Sequence, residues 1–285
     1  MTGSRPLAQR GLRRLRVRVG VALRDLPALV LALPFLFVAG YTLLAAFTPT
    51  AQLNRGELGQ FTLENFRLAW ASADFPRLYL NTALFVFGLL LVQVFTVTTA
   101  GFALAQLKVR GQNALFYLVL AQLFLPPSAL ILPNFLTVNR LGLTDTLSAL
   151  ALPYVASATG AFLLRQGFLQ VPRELLEAAL VDGATPWQIL TRVLLPLVRP
   201  QLAAFALVSL VYHWNEFLWP LVVIQSPEKR VLSLGFASFA RSAESGMEWG
   251  LIAAGAILVA LPMVLAFLLF QRAFVEAFAR SGLKG

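Results

Sequence analysis

The residues of this sequence that could do chemistry are few, and the densest group is Tyr212-His213-Trp214-Asn215-Glu216. His213 is the only histidine, and the chain contains no cysteine. These counts exclude a histidine or thiolate metal cluster, a thiol nucleophile and a disulfide framework. A single histidine leaves little room for a catalytic triad, and the sequence offers no paired carboxylates for acid–base catalysis. We therefore expect no metal site, no cofactor and no catalytic residue.

The same group is suited to hydrogen bonding with a solute inside a membrane. Polar side chains within a membrane span are costly unless they face a cavity or a partner. At helical spacing one face of the fifth span carries His213, Glu216 and Pro220, and another carries Tyr212, Asn215 and Trp219. The alternative is that His213 and Glu216 bond to each other or to a neighbouring helix, with the tryptophans in an interfacial aromatic belt. The candidates for lining a passage are His213, Trp214, Asn215, Glu216 and Trp219.

Other polar residues in apolar stretches are weaker candidates. We expect the prolines at 126 and 127 to kink a helix, and the threonines near Gly101 to mark tight helix packing. Gln93, Gln122 and Asn134 are assigned structural roles by default.

The elements that carry these residues are predicted to be membrane helices. The chain of 285 residues is 58% hydrophobic and 13% charged, with a mean hydropathy of +0.75. A soluble protein has about 25% charged residues, so this composition is typical of a membrane protein. Long stretches with at most one charge predict an all-α protein with six transmembrane helices. The spans are expected at about 27–47, 79–105, 114–136, 147–164, 200–224 and 249–271.

The charges predict the orientation. The N-terminus, the 106–113 loop, the 165–199 segment and the C-terminus hold sixteen basic and five acidic residues, whereas the opposite loops hold seven of each. Glu216 is the one charge inside a span, and the net charge is +10. Under the positive-inside rule both termini are cytoplasmic, with a basic segment 1–25, a six-helix transmembrane domain 26–275 and a tail 276–285. The N-terminal arginines then bind anionic lipid rather than nucleic acid, and the first apolar run is too long for a signal peptide.

The segment 165–199 between the fourth and fifth spans predicts two short helices. Pro172 suits a first turn, Gly183 a left-handed residue after a C-cap, and Thr185-Pro186 a second helix start that runs toward Pro196. The first helix has an apolar stripe, Leu175, Leu176, Ala179 and Leu180. Periodicity alone leaves three uses open: lying in the lipid interface, packing on the protein's own helix ends, or docking into a partner.

The motif in this segment resembles the cytoplasmic signature of ABC-importer permease subunits. Glu177-Ala178-Ala179 is followed after three residues by Gly183 and after nine more by Val193-Leu194-Leu195-Pro196, with valine where the family has isoleucine. The resemblance implies a type I importer permease fold and a coupling helix that docks into a cytoplasmic ATPase. The coupling residues it implies are Glu177, Ala178, Ala179, Asp182, Gly183, Leu195 and Pro196.

Further stretches are similar to the second permease of the carbohydrate-uptake group. They include Phe61-Thr-Leu-Glu-Asn-Phe66, Trp214-Asn215 with Trp219-Pro220-Leu221, and Ser281-Gly-Leu-Lys-Gly285. The stretches 153–166, 212–221 and 271–275 look closest to the permeases of glycerol-3-phosphate uptake. This resemblance favours glycerol-3-phosphate as substrate, with a neutral mono- or oligosaccharide as the alternative. An anionic substrate requires that Glu216 point away from it, pair with a cation or be protonated.

The chain lacks a G-x-x-x-x-G-K-[ST] loop, so ATP must be bound by a partner. The resemblance implies a homologous first permease, an ATPase dimer and an extracytoplasmic solute-binding protein as partners in the inner membrane. A proton-coupled secondary carrier using Glu216 and His213 is the rival from another class. It is disfavoured because the sequence shows no internal repeat and a coupling segment would then have no purpose.

Overall fold

The computed structural model describes Pro27 and residues 30–57, 60–107 and 110–282, and every regular element among them is helical. The helices are α1 Val30–Ala46, α2 Thr50–Leu53, α3 Glu64–Ser72, α4 Phe75–Gln106, α5 Gln112–Ala121, α6 Pro127–Arg140, α7 Leu147–Ala151, α8 Ala158–Leu169, α9 Arg173–Val181, α10 Pro186–Gln188, α11 Leu195–Leu197, α12 Arg199–Trp214, α13 Leu218–Val223, α14 Leu232–Ser245 and α15 Trp249–Gly282. Three-residue 3₁₀ turns extend α5 over Gln122–Phe124 and α7 over Leu152–Tyr154. The helical prediction is confirmed.

Two helices of the described part can cross a membrane on their own, Phe75–Gln106 and Trp249–Leu269. Three helix pairs are long and apolar enough together but are bent: Gln112–Phe124 with Pro127–Arg140, Leu147–Tyr154 with Ala158–Leu169, and Pro186–Leu197 with Arg199–Trp214. Counting each pair as one span gives up to five spans, and Val30–Ala46 is a shorter apolar helix.

Three of the predicted spans are interrupted, and 147–164 breaks between Tyr154 and Ala158 with a bend of 47°. The stretch 114–136 breaks between Phe124 and Pro127 with a bend of 105°, which confirms the kink expected at the paired prolines. The stretch 200–224 was expected to be one helix, and this is wrong: α12 ends at Trp214 and α13 begins at Leu218.

The chain forms two compact units, and residues 70–242 with 258–285 form the larger one. Its centre is the packing of α4, α8 and α12, where glycines allow close approach. A Cβ atom at Gly160 of α8 would lie 2.6 Å from side-chain atoms of both Phe205 and Val97. One at Gly101 of α4 would lie 2.9 Å from the Cβ of Leu164, which agrees with the packing role expected near Gly101. Small residues bring the three helices together here, as in other membrane helix pairs.

The described residues up to 69, together with 243–257, form the smaller unit. Asn65 of α3 holds the end of α1, because its amide nitrogen donates to the carbonyls of Ala46 at 3.0 Å and Thr48 at 2.8 Å. Gly250 of α15 packs on this amide: a Cβ there would lie 2.6 Å from Asn65 Nδ2.

Candidate passage and docking segment

A cavity of about 320 Å³ lies inside the larger unit. It is bounded by Gln93 of α4, by one face of α12 and by the two bent pairs α5–α6 and α7–α8. The lining residues are Gln93, Gln122, Leu123, Leu125, Pro127, Leu130, Asn134, Pro153, Tyr154, Ala156, Ser157, Ala158, Thr159, Phe205, Val208, Ser209, Tyr212 and His213.

The helix breaks explain why a cavity forms at this place. The α5–α6 break and the α7–α8 break both contribute lining residues, and these include the first turns of α6 and α8. A break frees backbone polar groups, and such groups are tolerated within a membrane only inside protein or beside a cavity. Discontinuous helices of this kind surround the substrate sites of several other transporters.

The lining combines apolar side chains with uncharged polar groups. It contains no aspartate, glutamate, lysine or arginine, and its hydrogen-bonding groups are amides, hydroxyls, two tyrosines and an imidazole. Such a surface can exchange hydrogen bonds with a solute that carries many oxygens. A passage must bind its solute weakly enough to release it. The lining has no charged side chain that would hold a charged solute tightly.

The side chain of Gln93 is almost fully buried, and both its amide nitrogen and its amide oxygen form hydrogen bonds. Its Nε2 donates to the backbone carbonyl of Tyr154 at 2.7 Å and lies 3.4 Å from Nε2 of His213. Its Oε1 accepts from the hydroxyl of Ser209. The amide thereby links α4 to the α7–α8 break and to α12.

His213 is 6% exposed and lies among aromatic rings. Its ring centroid is 4.7 Å from that of Tyr154 and 5.0 Å from that of Tyr212, and Phe85 packs on it edge-on. Within the described part of the chain its Nδ1 atom is buried and has no hydrogen-bond partner.

Of the five residues predicted to line a passage, only His213 borders this cavity. Trp214 is buried, and its indole nitrogen donates to the carbonyl of Val259 at 3.4 Å. Asn215 caps the end of α12, where its Nδ2 donates to the carbonyl of Val211 at 2.8 Å.

The other two predicted residues form hydrogen bonds at the start of α13. Trp219 is 2% exposed, and its indole nitrogen donates to the carbonyl of Ala149 at 3.1 Å. Glu216 accepts from the backbone N–H of Trp219 at 3.3 Å through Oε1. The expected sharing of helix faces between His213 and Glu216 is wrong, because α12 ends between them.

Sequence reasoning missed the rest of the cavity. Gln93, Gln122 and Asn134 stood out as polar residues in apolar stretches but were assigned structural roles, and all three line the cavity. Ser209 lies one helical turn before His213 in α12, so helical spacing could have identified it.

The second candidate site is the segment that carries the family-like motif. α9 ends in a Schellman motif: the N–H of Gly183 donates to the carbonyl of Leu180 at 3.0 Å, and that of Ala184 to Ala179 at 2.9 Å. Gly183 has φ +76°, the left-handed conformation that the sequence predicted, and a Cβ there would meet nothing within 4 Å.

The next helix begins at the predicted place. Thr185 and Gln188 form a capping box, with Thr185 N donating to Gln188 Oε1 at 2.8 Å and Gln188 N to Thr185 Oγ1 at 3.3 Å. Helical structure then runs through Pro196, as expected, but Ile189–Leu194 is a π-helical turn. The chain bends by 80° between Leu197 and Arg199.

α9 buries one face on its own chain and exposes the other. Leu176 and Ala179 pack with Ala184 against a buried cluster around Leu194. The rest of the predicted apolar stripe, Leu175 and Leu180, is exposed, and Val181 is 87% exposed. The motif residues Glu177, Ala178, Asp182, Gly183 and Pro196 are also exposed, whereas Ala179 and Leu195 are half-buried.

Asp145 forms a polar node in the loop between α6 and α7. Its Oδ1 accepts from the backbone N–H groups of Gln225 at 2.9 Å and Ser226 at 3.0 Å, and its Oδ2 from the Ser226 hydroxyl. Lys229 Nζ lies 3.1 Å from Oδ2. The bonds from Ser226, then that from Gln225 and the Lys229 ammonium, hold the pKa of the Asp145 carboxyl well below its usual range.

Comparison with known proteins agrees with this architecture. The family described as "Binding-protein-dependent transport system inner membrane component" matches residues 97–280. The arabinooligosaccharides transport system permease protein AraQ of Halalkalibacterium halodurans is 32% identical over 250 residues, 85% of this chain and 89% of the relative. The sn-glycerol-3-phosphate transport system permease protein UgpE of Escherichia coli K12 is 32% identical over 229 residues, 78% of this chain and 82% of the relative.

Two solved structures share the fold. A bacterial ABC transporter involved in the import of the acidic polysaccharide alginate superposes with a TM-score of 0.79 at 21% identity, covering 96% of this chain and 100% of the other. A bacterial alginate ABC transporter in complex with an alginate pentasaccharide-bound periplasmic protein gives a TM-score of 0.69 at 18% identity, covering 92% and 97%.

Proposed function

The chain belongs to the family of binding-protein-dependent transport system inner membrane components, and from this premise we propose that it is the permease subunit of an ATP-driven importer for a sugar or polyol phosphate. It is an inner-membrane transport component rather than a catalyst. The observation that carries the proposal is the combination of an uncharged polar cavity with an exposed, motif-bearing helix at the cytoplasmic side of the predicted topology.

The proposed topology has six spans with both termini in the cytoplasm. Two helices and three bent pairs supply up to five spans, and α1 supplies the first. The charge distribution of the connections supports the cytoplasmic placement of segment 165–199.

The exposed face of α9 is proposed to dock into the ATPase. Leu175, Leu180 and Val181 would otherwise leave apolar surface in water beside Glu177 and Asp182. A short amphipathic helix with small residues such as Ala178 suits insertion into a groove of a partner. The half-buried Ala179 and Leu195 pack this segment against the cluster that continues into α12.

The proposed partners are a homologous first permease, an ATPase dimer and an extracytoplasmic solute-binding protein. A solute-binding partner is supported by the fold neighbour whose transporter was solved with a periplasmic protein. The absence of a phosphate-binding loop from this sequence supports an ATPase on another chain.

Glycerol-3-phosphate is the proposed substrate, and a neutral oligosaccharide is the second candidate. The two candidates match the names of two relatives at the same identity, 32%. The position of Glu216 is compatible with an anion, because its carboxylate accepts from Trp219 N and does not line the cavity. An anionic substrate requires Glu216 to point away from it, and the position of Glu216 outside the cavity lining agrees with this requirement.

The test is a pair of glycine variants in the importer assembled with its partners. We expect Gly183→Leu to abolish ATP-driven uptake of glycerol-3-phosphate or arabinooligosaccharide while the permease still inserts into the membrane. Gly111→Leu is the matched control, because Gly111 also has positive φ, at +81°, and open space around its Cβ position. Both variants carry the same backbone strain, but only Gly183 lies in the docking segment.

Full uptake by Gly183→Leu would contradict the docking assignment, and equal losses in both variants would assign the effect to backbone strain. Uptake that depends on a proton gradient without any ATPase would favour the secondary carrier instead.

A further inference from the structure

His213 combines three observations that its role in packing does not explain. It is the only histidine of the chain, it borders the cavity, and its buried Nδ1 has no hydrogen-bond partner among the described residues. Most buried polar atoms in proteins are bonded, so an unpaired one beside a cavity points to a partner that arrives from outside. Packing alone would be served as well by phenylalanine, which already neighbours the ring at Phe85.

The bonds of Gln93 determine which nitrogen of His213 carries the proton. Only the amide nitrogen of Gln93 can donate to the carbonyl of Tyr154, so that nitrogen also faces His213 Nε2 at 3.4 Å. An amide N–H next to Nε2 requires Nε2 to be the acceptor. The neutral imidazole then carries its proton on Nδ1, because one ring nitrogen is a donor and the other an acceptor.

We propose that His213 is a substrate-binding residue of the passage, which offers the Nδ1 proton to an oxygen of the solute, and that Gln93 is the positioning residue that fixes this tautomer. The proposal rests on the proposed transport function and deepens it. The ligand chemistry is an oxygen acceptor, which a phosphate oxygen and a sugar hydroxyl both supply.

The surroundings favour acceptor oxygens. The first turns of α6 and α8 border the cavity, and helix N-termini carry partial positive charge and free N–H groups. Glu216 does not line the cavity, and its carboxylate accepts from the backbone N–H of Trp219. The lining residues around His213 therefore add no acidic group that would repel an acceptor oxygen.

The tautomer can be measured directly because the chain has one histidine. The full chain, labelled with ¹⁵N-histidine and carrying an affinity tag without histidine, is placed in lipid nanodiscs for NMR. We expect Nδ1 to be protonated and Nε2 unprotonated. Gln93→Leu is expected to give a mixture of tautomers, whereas Gln106→Leu, on the same helix α4 but outside the cavity, leaves the spectrum unchanged.

Transport tests the contact itself. The importer, assembled with its partners in proteoliposomes, is supplied with glycerol-3-phosphate or with arabinotriose. Because the solute reaches the passage after leaving its binding protein, we expect His213→Leu to lower uptake per ATP hydrolysed about tenfold without changing KM, a loss typical of one hydrogen bond. His213→Asn keeps a donor near the Nδ1 position and is expected to restore most uptake, and His213→Gln is not.

The outcomes separate the proposals. A wild-type spectrum with Nε2 protonated, or with both nitrogens protonated, overturns the tautomer and with it the inference. Uptake by His213→Leu equal to wild type overturns the substrate contact while the transport function stands. If the wild-type importer takes up neither solute with ATP, the proposed function itself fails. The solute whose uptake His213→Leu reduces shows whether the residue contacts a phosphorylated polyol or a neutral sugar.

Discussion

Asp145 forms several hydrogen bonds through its side chain in the loop between α6 and α7. It has a positive φ of 59°, which is uncommon for a residue other than glycine, and its carboxylate accepts from two backbone N–H groups and a hydroxyl. Aspartate tolerates this conformation better than most residues because its short polar side chain bonds locally. The strain is offset by the bonds that fix the start of α7 to the end of α13.

Asp145→Asn is expected to lower the melting temperature of the purified chain by a few degrees at pH 7. The amide cannot accept at both positions or attract Lys229, so the node loses bonds. The stabilisation by Asp145 is present above its unfolded pKa of about 4 and is lost as pH falls through the lowered folded pKa. The wild-type and variant melting temperatures therefore begin to converge as pH falls below about 4, and they become equal only below the lowered folded pKa.

Glu248→Gln serves as the control for this measurement, because Glu248 is exposed on a different part of the chain. A melting temperature of Asp145→Asn that equals wild type at pH 7 would show that the node does not contribute to stability.

At the residue scale the sequence located His213 but not its neighbours. A single histidine in an apolar stretch is a clear signal, because a polar group is costly there. Gln93 and Asn134 gave the same kind of signal, but nothing in a single sequence shows which polar residues of different helices meet. That information lies in the helix packing around Gly160 and Gly101.

At the element scale, the helix ends that depend on residues adjacent in sequence were predicted correctly. The left-handed Gly183, the Thr185 cap and the kink at the paired prolines each depend on residues adjacent in sequence. The break after Trp214 was missed because it has no glycine or proline at the break itself. It is held by contacts that are distant in sequence, such as Trp219 to Ala149.

Thr185→Ala is expected to loosen the beginning of the second helix of the docking segment. Loss of an N-cap costs about 1 kcal/mol, so backbone amides of 187–190 should exchange with deuterium about fivefold faster. Hydrogen–deuterium exchange with mass spectrometry on the full chain in nanodiscs measures this directly. Thr191→Ala is the matched control, because Thr191 bonds only to the carbonyl of Trp187 within the helix; equal exchange in both variants would rule out a role for the cap.

At the scale of the whole molecule, composition predicted a helical membrane protein, and the family assignment agrees. The number of spans is harder to infer, since charge-free length does not distinguish a straight helix from a bent pair. Four of the predicted spans fall on long helices or bent pairs of the described residues: 79–105, 114–136, 147–164 and 249–271. Only two of these are single helices that can cross on their own.

The topology can be tested with single cysteines, because the natural chain has none. We expect a membrane-impermeant maleimide to label Glu228→Cys from outside intact cells. Gln170→Cys should react only after the membrane is opened. Both positions are exposed on the structure, so a lack of labelling reports sidedness rather than burial. Labelling of Gln170→Cys in intact cells would reverse the orientation.

The π-helical turn at Ile189–Leu194 bears on how this sequence can change during evolution. A π turn holds an extra residue, and each residue gained or lost rotates everything after it by about 100° around the helix axis. A one-residue deletion would turn Leu194 and Val198 away from the buried cluster they now occupy. The segment from Thr185 to Val198 should therefore accept many substitutions over time but no change of length, and insertions should accumulate in loops elsewhere.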